Sequence, residues 1–208
     1  MSALSAFSLV IPAFNEANRI GQSLRDALTY LNAISPESEL IVVNDGSTDA
    51  TSNLVREVFS AEKKIETRLI ENFPNRGKGA AVRTGLLAAA KPIALFSDAD
   101  LSTPMEETPK LIEPIARGEF DITFGSRALD RRLIGNRQPW RREQGGRVFN
   151  LLVRLATGLP FWDTQCGFKA FRLEICRPIL EQVRTDGFGF DVELLYRARR
   201  ANLRMKEI

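Results

Sequence analysis

Short apolar runs alternate along this chain with longer segments in which apolar residues recur every three or four positions. The short runs predict buried strands, and the periodic segments predict amphipathic helices. The predicted strands lie at 7–11, 39–43, 66–71, 93–97 and 121–125, and another begins near 203; the main helices are predicted at 20–31, 54–59, 80–90, 147–156 and 192–198. Because strands and helices alternate up to about residue 126, we predict an α/β fold with a mainly parallel central sheet flanked by helices.

Polar clusters follow the predicted strands. They are Asn15-Glu16, Asp45, Arg76 to Lys78, Asp98 to Asp100, and Ser126-Arg127. In parallel sheets, ligands bind outside the carboxyl ends of the strands. Any one cluster could be a turn or a helix cap, but five of them at one edge predict a nucleotide site.

The segment Asp98-Ala99-Asp100 ends the apolar run that begins at Ile93. Side chains alternate along an extended chain, so Asp98 and Asp100 are expected to point the same way. Two unpaired carboxylates are costly to bury, and they suit Mg²⁺, which takes one or two carboxylates together with substrate phosphates. The alternative is that these are loop acids, with Asp98 or Asp100 capping the next helix. Thr103 and Pro104 are also good N-cap and first-turn residues for that helix.

Composition removes several classes of chemistry. The chain has 208 residues, 44% of them hydrophobic, and contains no histidine, which excludes histidine-based triads, bases and metal ligands. Cys166 and Cys176 cannot form a disulfide framework or a zinc site and are typical of a reducing compartment. The sequence shows no signal peptide and no apolar run of the roughly 18 residues that a membrane helix needs.

Two familiar phosphate-binding signatures are absent from the sequence. No G-x-G-x-x-G follows the first strand, and no G-x-x-x-x-G-K-[ST] occurs. Gly77-Lys78-Gly79 is only superficially similar to the second. Lys78 is therefore either a solvated residue in a loop that leads into a helix, or it faces phosphate together with Arg76 or Arg83.

The segment from Arg127 to Arg154 is strongly basic, with eight arginines and only two acids, Asp130 and Glu143. One interpretation is a core-packed helix with a solvated face. The other is a basic loop and interfacial helix on an anionic membrane surface, where binding would be reversible and sensitive to salt. Nucleic acid is not an expected partner, because no recognised nucleic-acid motif accompanies the charge.

Several ordered motifs resemble those of family 2 inverting glycosyltransferases, and in particular the dolichyl-phosphate glucosyltransferases and related polyprenyl-phosphate glycosyltransferases. The similarity covers about residues 7–207. The motifs are Val10 to Glu16, Val43 to Asp49, Arg76 to Arg83, Ser97 to Asp100, Gly125 to Arg127, Asp163 to Lys169 and Phe188 to Glu193.

The resemblance implies a glycosyltransferase A-type, Rossmann-like fold forming one catalytic domain over residues 1–208. The donor part would be about 7–127, and the acceptor and membrane-facing part 128–208. UDP-glucose is the first expected donor and GDP-mannose the second. Asp45 would hydrogen-bond the base, and Glu16 the base or ribose. Asp98 would lie near the ribose and sugar, and Lys78 and Arg127 would meet the phosphates. Pro12 and Asn15 would belong to the same donor site. Asp100, with Asp98, would bind Mg²⁺ or Mn²⁺.

The resemblance also implies a polyprenyl phosphate acceptor, whose oxygen is already ionised at neutral pH. A strong general base is then unnecessary, which agrees with the lack of histidine. Asp191, Asp163 and Gln165 are candidates to orient the acceptor or sugar. Asp191 could instead be a helix N-cap, and Asp163 could open a turn.

Three other functions stay open at this point. The acceptor could be a glycan or small-molecule hydroxyl, the chain could bind a nucleotide sugar without turnover, or it could be a nucleotidyltransferase. A nucleotidyltransferase is disfavoured because Pro12 to Asn18 is not a glycine-rich loop. We expect a cytoplasmic protein, peripheral on the cytoplasmic face of a membrane. The sequence stops where a strand begins, and relatives in this branch continue past that point; whether a C-terminal membrane anchor follows Ile208 stays open.

Overall fold

The computed structural model describes residues 4–126, Arg154 and residues 157–208. Its described strands form one seven-stranded sheet in the order β3-β2-β1-β4-β6-β5-β7. These strands are β1 Phe7–Ala13, β2 Glu39–Asn44, β3 Glu66–Glu71, β4 Ile93–Ser97, β5 Ile122–Phe124, β6 Phe168–Arg172 and β7 Met205–Glu207. Strands β3, β2, β1 and β4 are mutually parallel, and β7 is parallel to β5, whereas β6 runs antiparallel to both of its neighbours. The predicted α/β fold with a mainly parallel sheet is confirmed.

Helices cover both faces of this sheet. They are α1 Ile20–Ile34, α2 Thr51–Ala61, α3 Lys78–Ala88, α4 Thr108–Ala116, α5 Leu173–Leu180 and α6 Phe190–Arg200, with a 3₁₀ turn at Met105–Glu107. One apolar core lies between the sheet and helices α1, α2 and α4, and a second lies between the sheet and α3, α5 and α6. Leu9 and Ile11 face the first core while Val10 faces the second, as the twofold alternation of a strand requires. Burial on both faces explains why β1, β2 and β4 are continuous apolar runs.

Strand β6 was not predicted from the sequence. Its residues, Phe168 to Arg172, carry a lysine at the second position, which is unusual for a strand in the middle of a sheet. Lys169 is nevertheless fully buried. The carboxylate of Asp191, in α6, forms an ion pair with Lys169 and compensates for the burial of its charge.

Two helix starts differ from the predictions. Thr103 does not cap a helix, because the chain first forms the 3₁₀ turn after Pro104, and α4 begins only at Thr108. Asp191 does not cap α6 either: Gly189 occupies the cap position, and Asp191 lies inside the first helical turn, where it is buried.

Among the described residues, no helix has both the length and the apolar character needed to cross a membrane.

Candidate active site

The loops that follow β1 and β2 are tied together at the carboxyl edge of the sheet. Asn15 has a positive φ of 54°. Its side-chain oxygen accepts a hydrogen bond from the Thr48 amide at 2.9 Å, and its own amide donates to Ser47 Oγ at 2.9 Å. Pro12 lies within β1, where it is buried and in register with Val43. Pro12 and Asn15 therefore both lie at or near this edge of the sheet. Their contact with a donor stays a prediction.

Asp45 organises the loop that leads into α3. Its buried carboxylate accepts hydrogen bonds from the amides of Gly77 at 2.6 Å and Arg76 at 3.2 Å, and from the Asn72 side chain at 3.3 Å. Gly77 has a φ of 107°, which a residue with a side chain would adopt only with strain. Asp45 thus places the N-terminus of α3 beside the site, and its predicted contact with the donor base remains a prediction.

Lys78, the first residue of α3, forms an ion pair with Asp98. Lys78 Nζ lies 2.5 Å from Asp98 Oδ1, and both side chains are partly buried. The Asp98 amide donates to the Gly167 carbonyl at 3.1 Å. A Cβ on residue 167 would overlap the Asp98 carboxylate, so only glycine leaves room for it. Lys78 is therefore not a freely solvated lysine, and β4, α3 and the segment before β6 meet at Asp98.

Asp100 faces a different cation. Its Oδ2 lies 3.8 Å from Arg19 Nη1, and Arg19 Nε lies 2.5 Å from Glu16 Oε2. The chain turns after Asp98, with a φ of 46° at Leu101, and the Ser102 amide donates to Asp100 Oδ1 at 3.0 Å. The expected strand alternation of Asp98 and Asp100 is therefore wrong, because β4 ends at Ser97 and a turn follows.

Glu16 lies within the electrostatic influence of Asp100. Partial burial raises the pKa of the Glu16 carboxyl, the Arg19 guanidinium opposes this shift, and the negative charge of Asp100 adds to it. The carboxylates of Glu16 and Asp100 thus share one guanidinium. Two carboxylates beside one guanidinium carry a net negative charge, which a bound cation would neutralise.

Asp98 and Asp100 fit a divalent cation that also binds phosphate. Both carboxylates are partly exposed, and each lies beside a basic side chain, Lys78 or Arg19. In the described ranges, no cluster of three or more acidic or cysteine side chains forms a metal cage. This donor set suits Mg²⁺ or Mn²⁺, since such hard cations are commonly held by one or two carboxylates and completed by substrate phosphate oxygens.

Asp191 is buried next to this group. Its Oδ1 lies 2.7 Å from Lys169 Nζ, and the side chains are 4% and 0% exposed, respectively. Burial raises the pKa of the Asp191 carboxyl; the ammonium groups of Lys169 and Lys78 oppose this shift, and the charge of Asp98 adds to it. The structure thus brings Asp191 close to the Lys78–Asp98 pair, as the prediction of a role near the reacting groups requires.

Gln165 and Asp163 occupy the segment that precedes β6. Gln165 Nε2 donates to the Phe188 carbonyl at 3.4 Å, and the Gln165 amide donates to Asp163 Oδ1 at 3.2 Å. The second bond is an Asx turn, which matches the alternative interpretation of Asp163 as a turn residue. Gln165 contacts the loop beside Lys78, and roles for both residues in turnover stay predictions.

Asp186 and Glu193 support this loop, and neither was predicted as a site residue. Asp186 pairs with Arg83 at 2.6 Å and with Arg76 at 3.3 Å. Glu193 accepts hydrogen bonds from the amides of Arg184 and Thr185 and pairs with Arg197. These bonds outweigh partial burial and lower the pKa of Glu193 from 4.5 to about 2. The only sequence signal was that Glu193 closes the motif beginning at Phe188.

The exposed ring of Phe188 lies at the mouth of the site. Lys78 Nζ is 5.9 Å from its centroid, and 74% of the residue is exposed. Trp162 is also exposed, and the guanidinium of Arg154 lies 4.2 Å from its ring centroid. Arg127 and most of the basic segment that it begins lie outside the described residues.

The sequence profile described as glycosyl transferase family 2 matches residues 8–180. The chain belongs to this family. Dolichyl-phosphate beta-glucosyltransferase of Drosophila melanogaster is 36% identical over 97% of the chain and 65% of that protein, and the Dictyostelium discoideum protein of the same name is 32% identical over 97% and 64%. Glycosyltransferase AglD of Haloferax volcanii is 33% identical over 96% of the chain but only 32% of its own length. The chain thus spans less than two thirds of these relatives.

Solved structures share the fold of this family 2 chain. The mannosyltransferase PcManGT of Pyrobaculum calidifontis, in complex with GDP-Man and Mn²⁺, has a TM-score of 0.70 at 21% identity, covering 100% of this chain and 55% of that one. Glucosyl-3-phosphoglycerate synthase of Mycobacterium tuberculosis, in complex with phosphoglyceric acid, has a TM-score of 0.70 at 25% identity, covering 98% and 69%. The predicted glycosyltransferase A-type fold is confirmed.

Proposed function

We propose that this chain catalyses the metal-dependent, inverting transfer of a hexose, with glucose from UDP-glucose as the first choice, to a polyprenyl or dolichyl phosphate. The observation that carries the proposal is the convergence of Asp98, Lys78 and Asp100 at the carboxyl edge of the sheet. The similarity to dolichyl-phosphate beta-glucosyltransferases over 97% of the chain supports the donor sugar and the acceptor class.

The donor lies across the loops after β1, β2 and β4 in this proposal. Glu16, with Asn15 and Pro12 behind it, and Asp45 line the nucleoside side. Lys78 binds the diphosphate. Arg127, which lies outside the described residues, is proposed to bind it too. The position of Lys78 supports this role, because the dipole of α3 also attracts negative charge at the N-terminus of this helix.

Asp100 and Asp98 hold Mg²⁺ or Mn²⁺ in this proposal. The cation held by these two carboxylates would supply positive charge to stabilise the leaving nucleoside diphosphate. Arg19 lies 3.8 Å from Asp100 and partly balances its charge. The structures of PcManGT and of glucosyl-3-phosphoglycerate synthase that contain Mn²⁺ support the assignment of a divalent cation to this fold.

The reaction is a single displacement at the anomeric carbon. An oxygen of the acceptor phosphate forms a bond to that carbon from the face opposite the nucleotide. The bond to the diphosphate breaks, and its electron pair leaves with the nucleoside diphosphate. Because the attacking oxygen is already ionised, the protein's main tasks are orientation and charge stabilisation. Asp98 orients the sugar, while Asp191, Gln165 and Asp163 orient the sugar or acceptor.

Exposed aromatic rings support a lipid acceptor. Phe188 and Trp162 are 74% and 58% exposed, and Phe188 adjoins Lys78. Aromatic side chains favour the interface between lipid and water. With the Arg127 to Arg154 segment, they would place the protein peripherally on the cytoplasmic face of an anionic membrane, in a manner weakened by salt. Nucleic acid is not a proposed partner of this chain.

A GDP-mannose-dependent transfer is the second candidate, favoured by the likeness to PcManGT in complex with GDP-Man. A hydroxyl acceptor is the third, favoured by the carboxylate of Asp191 beside the site, since a neutral hydroxyl needs a base. The acceptor class and the donor base are therefore tested separately.

Calorimetric titration of UDP-glucose and GDP-mannose, with and without Mn²⁺, tests the donor, and formation of a lipid-linked hexose with release of nucleoside diphosphate tests the reaction. We expect Mn²⁺-dependent binding of UDP-glucose that Asp100→Asn weakens at least about tenfold. Glu113→Gln, which removes an exposed carboxylate on α4 that pairs with Arg117, is the matched control. No release of nucleoside diphosphate from either donor, with lipid acceptor and metal present, would refute the proposal.

A further inference from the structure

Lys169 is a charged side chain in the middle of the sheet. It lies on β6, in register with Phe96 on β4 and Phe124 on β5, and it is fully buried. Its Nζ lies 5.3 Å and 5.9 Å from the centroids of those two phenyl rings and donates to the Cys166 carbonyl. Among the described residues, its charged partner is Asp191, whose Oδ1 lies 2.7 Å from Lys169 Nζ. These surroundings suit an ammonium group, which has three donors and is attracted to ring faces.

Packing alone does not explain this pair. Replacing a buried ion pair by apolar residues of similar volume is often neutral or stabilising, because desolvation offsets the attraction. The two apolar residues that flank Lys169 in register show that an apolar side chain would suit this layer. The charge is better explained by what it does to Asp191.

Asp191 links the buried lysine to the site. It lies in the first turn of α6, directly after the Phe188 loop. The charged groups that act on it are Lys169 from β6, Lys78 from α3 and Asp98 from the end of β4. A carboxylate this buried becomes protonated readily when its cation is removed. Lys169 therefore opposes the effect of burial and favours the ionised form of the Asp191 carboxyl.

We propose that Lys169 is a positioning residue, which holds the Asp191 carboxylate ionised and fixed from inside the core so that it can accept a hydrogen bond from the reactants. This inference rests on the proposed function for its consequence in turnover. Its effect on the carboxylate itself is independent of any donor. Lys169 contacts no reactant and acts only through Asp191.

The test compares wild type with Lys169→Met and Lys169→Arg. The ¹³C resonance of the Asp191 carboxyl, assigned with Asp191→Asn, is followed from about pH 4 to about pH 9, together with kcat and KM. In Lys169→Met we expect this carboxyl to titrate at least about one pH unit higher. We also expect kcat at neutral pH to fall at least about tenfold and to recover partly at alkaline pH, while KM for the donor changes less.

Arg177→Met is the matched control. Arg177 is partly buried and, like Lys169, donates to the backbone, to the carbonyls of Leu87 and Ala89, but it is not among the main charged groups that act on Asp191. It should lower the thermal stability without moving the Asp191 resonance or the pH profile. If Lys169→Met has the wild-type profile scaled down equally at every pH, or if its Asp191 resonance titrates as in wild type, the proposal is wrong.

Two further outcomes are separable. If Lys169→Met does not fold, Lys169→Arg is the variant to measure, because it keeps the charge but places a broader group between the two rings. We expect Asp191 to stay ionised in this variant and kcat to fall. An unchanged kcat would overturn the positioning role. If wild type binds no nucleotide sugar, the proposed function fails. The resonance experiment still decides whether Lys169 controls the carboxylate.

Discussion

Lys78 Nζ and Asp98 Oδ1 lie 2.5 Å apart, and this contact joins the first residue of α3 to the end of β4. The pair brings a phosphate-binding candidate and a sugar-binding candidate together. Under the proposed function, a bound diphosphate and the Asp98 carboxylate would share or compete for Lys78. The ion pair would then affect donor binding as well as the fold.

Replacing Lys78 by methionine should weaken donor binding more than it weakens the fold. We expect the dissociation constant for the nucleotide sugar to rise at least about tenfold, because a charge-assisted contact to the diphosphate is lost. The free energy of unfolding should change by no more than about 1 kcal/mol, since the pair is partly solvated. Calorimetry and denaturant unfolding measure the two effects.

Lys110→Met is the control for this change. Lys110 forms an ion pair of the same length, 2.5 Å, with Glu107, on the surface of α4. It should leave donor binding unchanged. Equal donor affinities for wild type and Lys78→Met would remove Lys78 from the proposed phosphate site.

A methyl group at residue 167 should disable the site without a large loss of helix or sheet packing. In Gly167→Ala the new Cβ would overlap the Asp98 carboxylate, which must then move away from Lys78. We expect kcat to fall at least about a hundredfold, because a misplaced group of this kind commonly costs that factor. Gly21→Ala, where a Cβ meets only the Arg25 side chain, is the control and should be as active as wild type. Full activity of Gly167→Ala would show that Asp98 does not need this position.

The sequence predicts most of the fold because β1, β2 and β4 are buried, mainly apolar runs followed by polar clusters. It fails at β6, where Lys169 interrupts the run and finds its partner only through α6. A prediction from local pattern has no access to that contact. The same limit hides the role of Asp186, whose arginine partners lie on and before α3.

Within the site, the sequence predicts which residues reach the carboxyl edge but not what they contact. Asp45, Lys78 and Asp98 all lie there, yet the partners of Asp45 are backbone amides of a different loop. The alternation expected for Asp98 and Asp100 fails because β4 ends at Ser97 and the chain then turns, with the Leu101 amide donating to the Asp98 carbonyl at 3.0 Å. Turns of this kind depend on packing around the loop and leave little trace in apolar periodicity.

Glu193 should make the stability of the protein depend on acid pH. Its pKa is about 2 in the folded protein and near 4.5 when unfolded, so its contribution is present above about pH 4.5 and is lost as pH falls towards about 2. Glu193→Gln should lower the melting temperature at neutral pH by a few degrees, because three backbone and side-chain contacts weaken. The difference from wild type should shrink steadily on acidification.

Glu119→Gln provides the comparison for Glu193. Glu119 pairs with Arg117 on the surface, and its pKa is also lowered, mainly by that hydrogen bond. Solvent screening should leave the melting temperature nearly unchanged. A constant difference between wild type and Glu193→Gln at all pH values would contradict the assignment.

Phe188 should matter for the lipid acceptor and not for the donor. Its ring is 74% exposed and lies 5.9 Å from Lys78 Nζ, so truncation removes little packing but takes away an apolar surface at the mouth of the site. We expect Phe188→Ala to raise KM for a long-chain polyprenyl phosphate about tenfold, to raise it much less for a short water-soluble analogue, and to leave donor affinity unchanged. Phe73→Ala, which removes a 92% exposed ring beyond β3, controls for the loss of an aromatic surface. If both acceptors respond equally to Phe188→Ala, the ring contacts the phosphate or sugar end and not the lipid chain. If neither responds, the acceptor approaches from another side of Lys78.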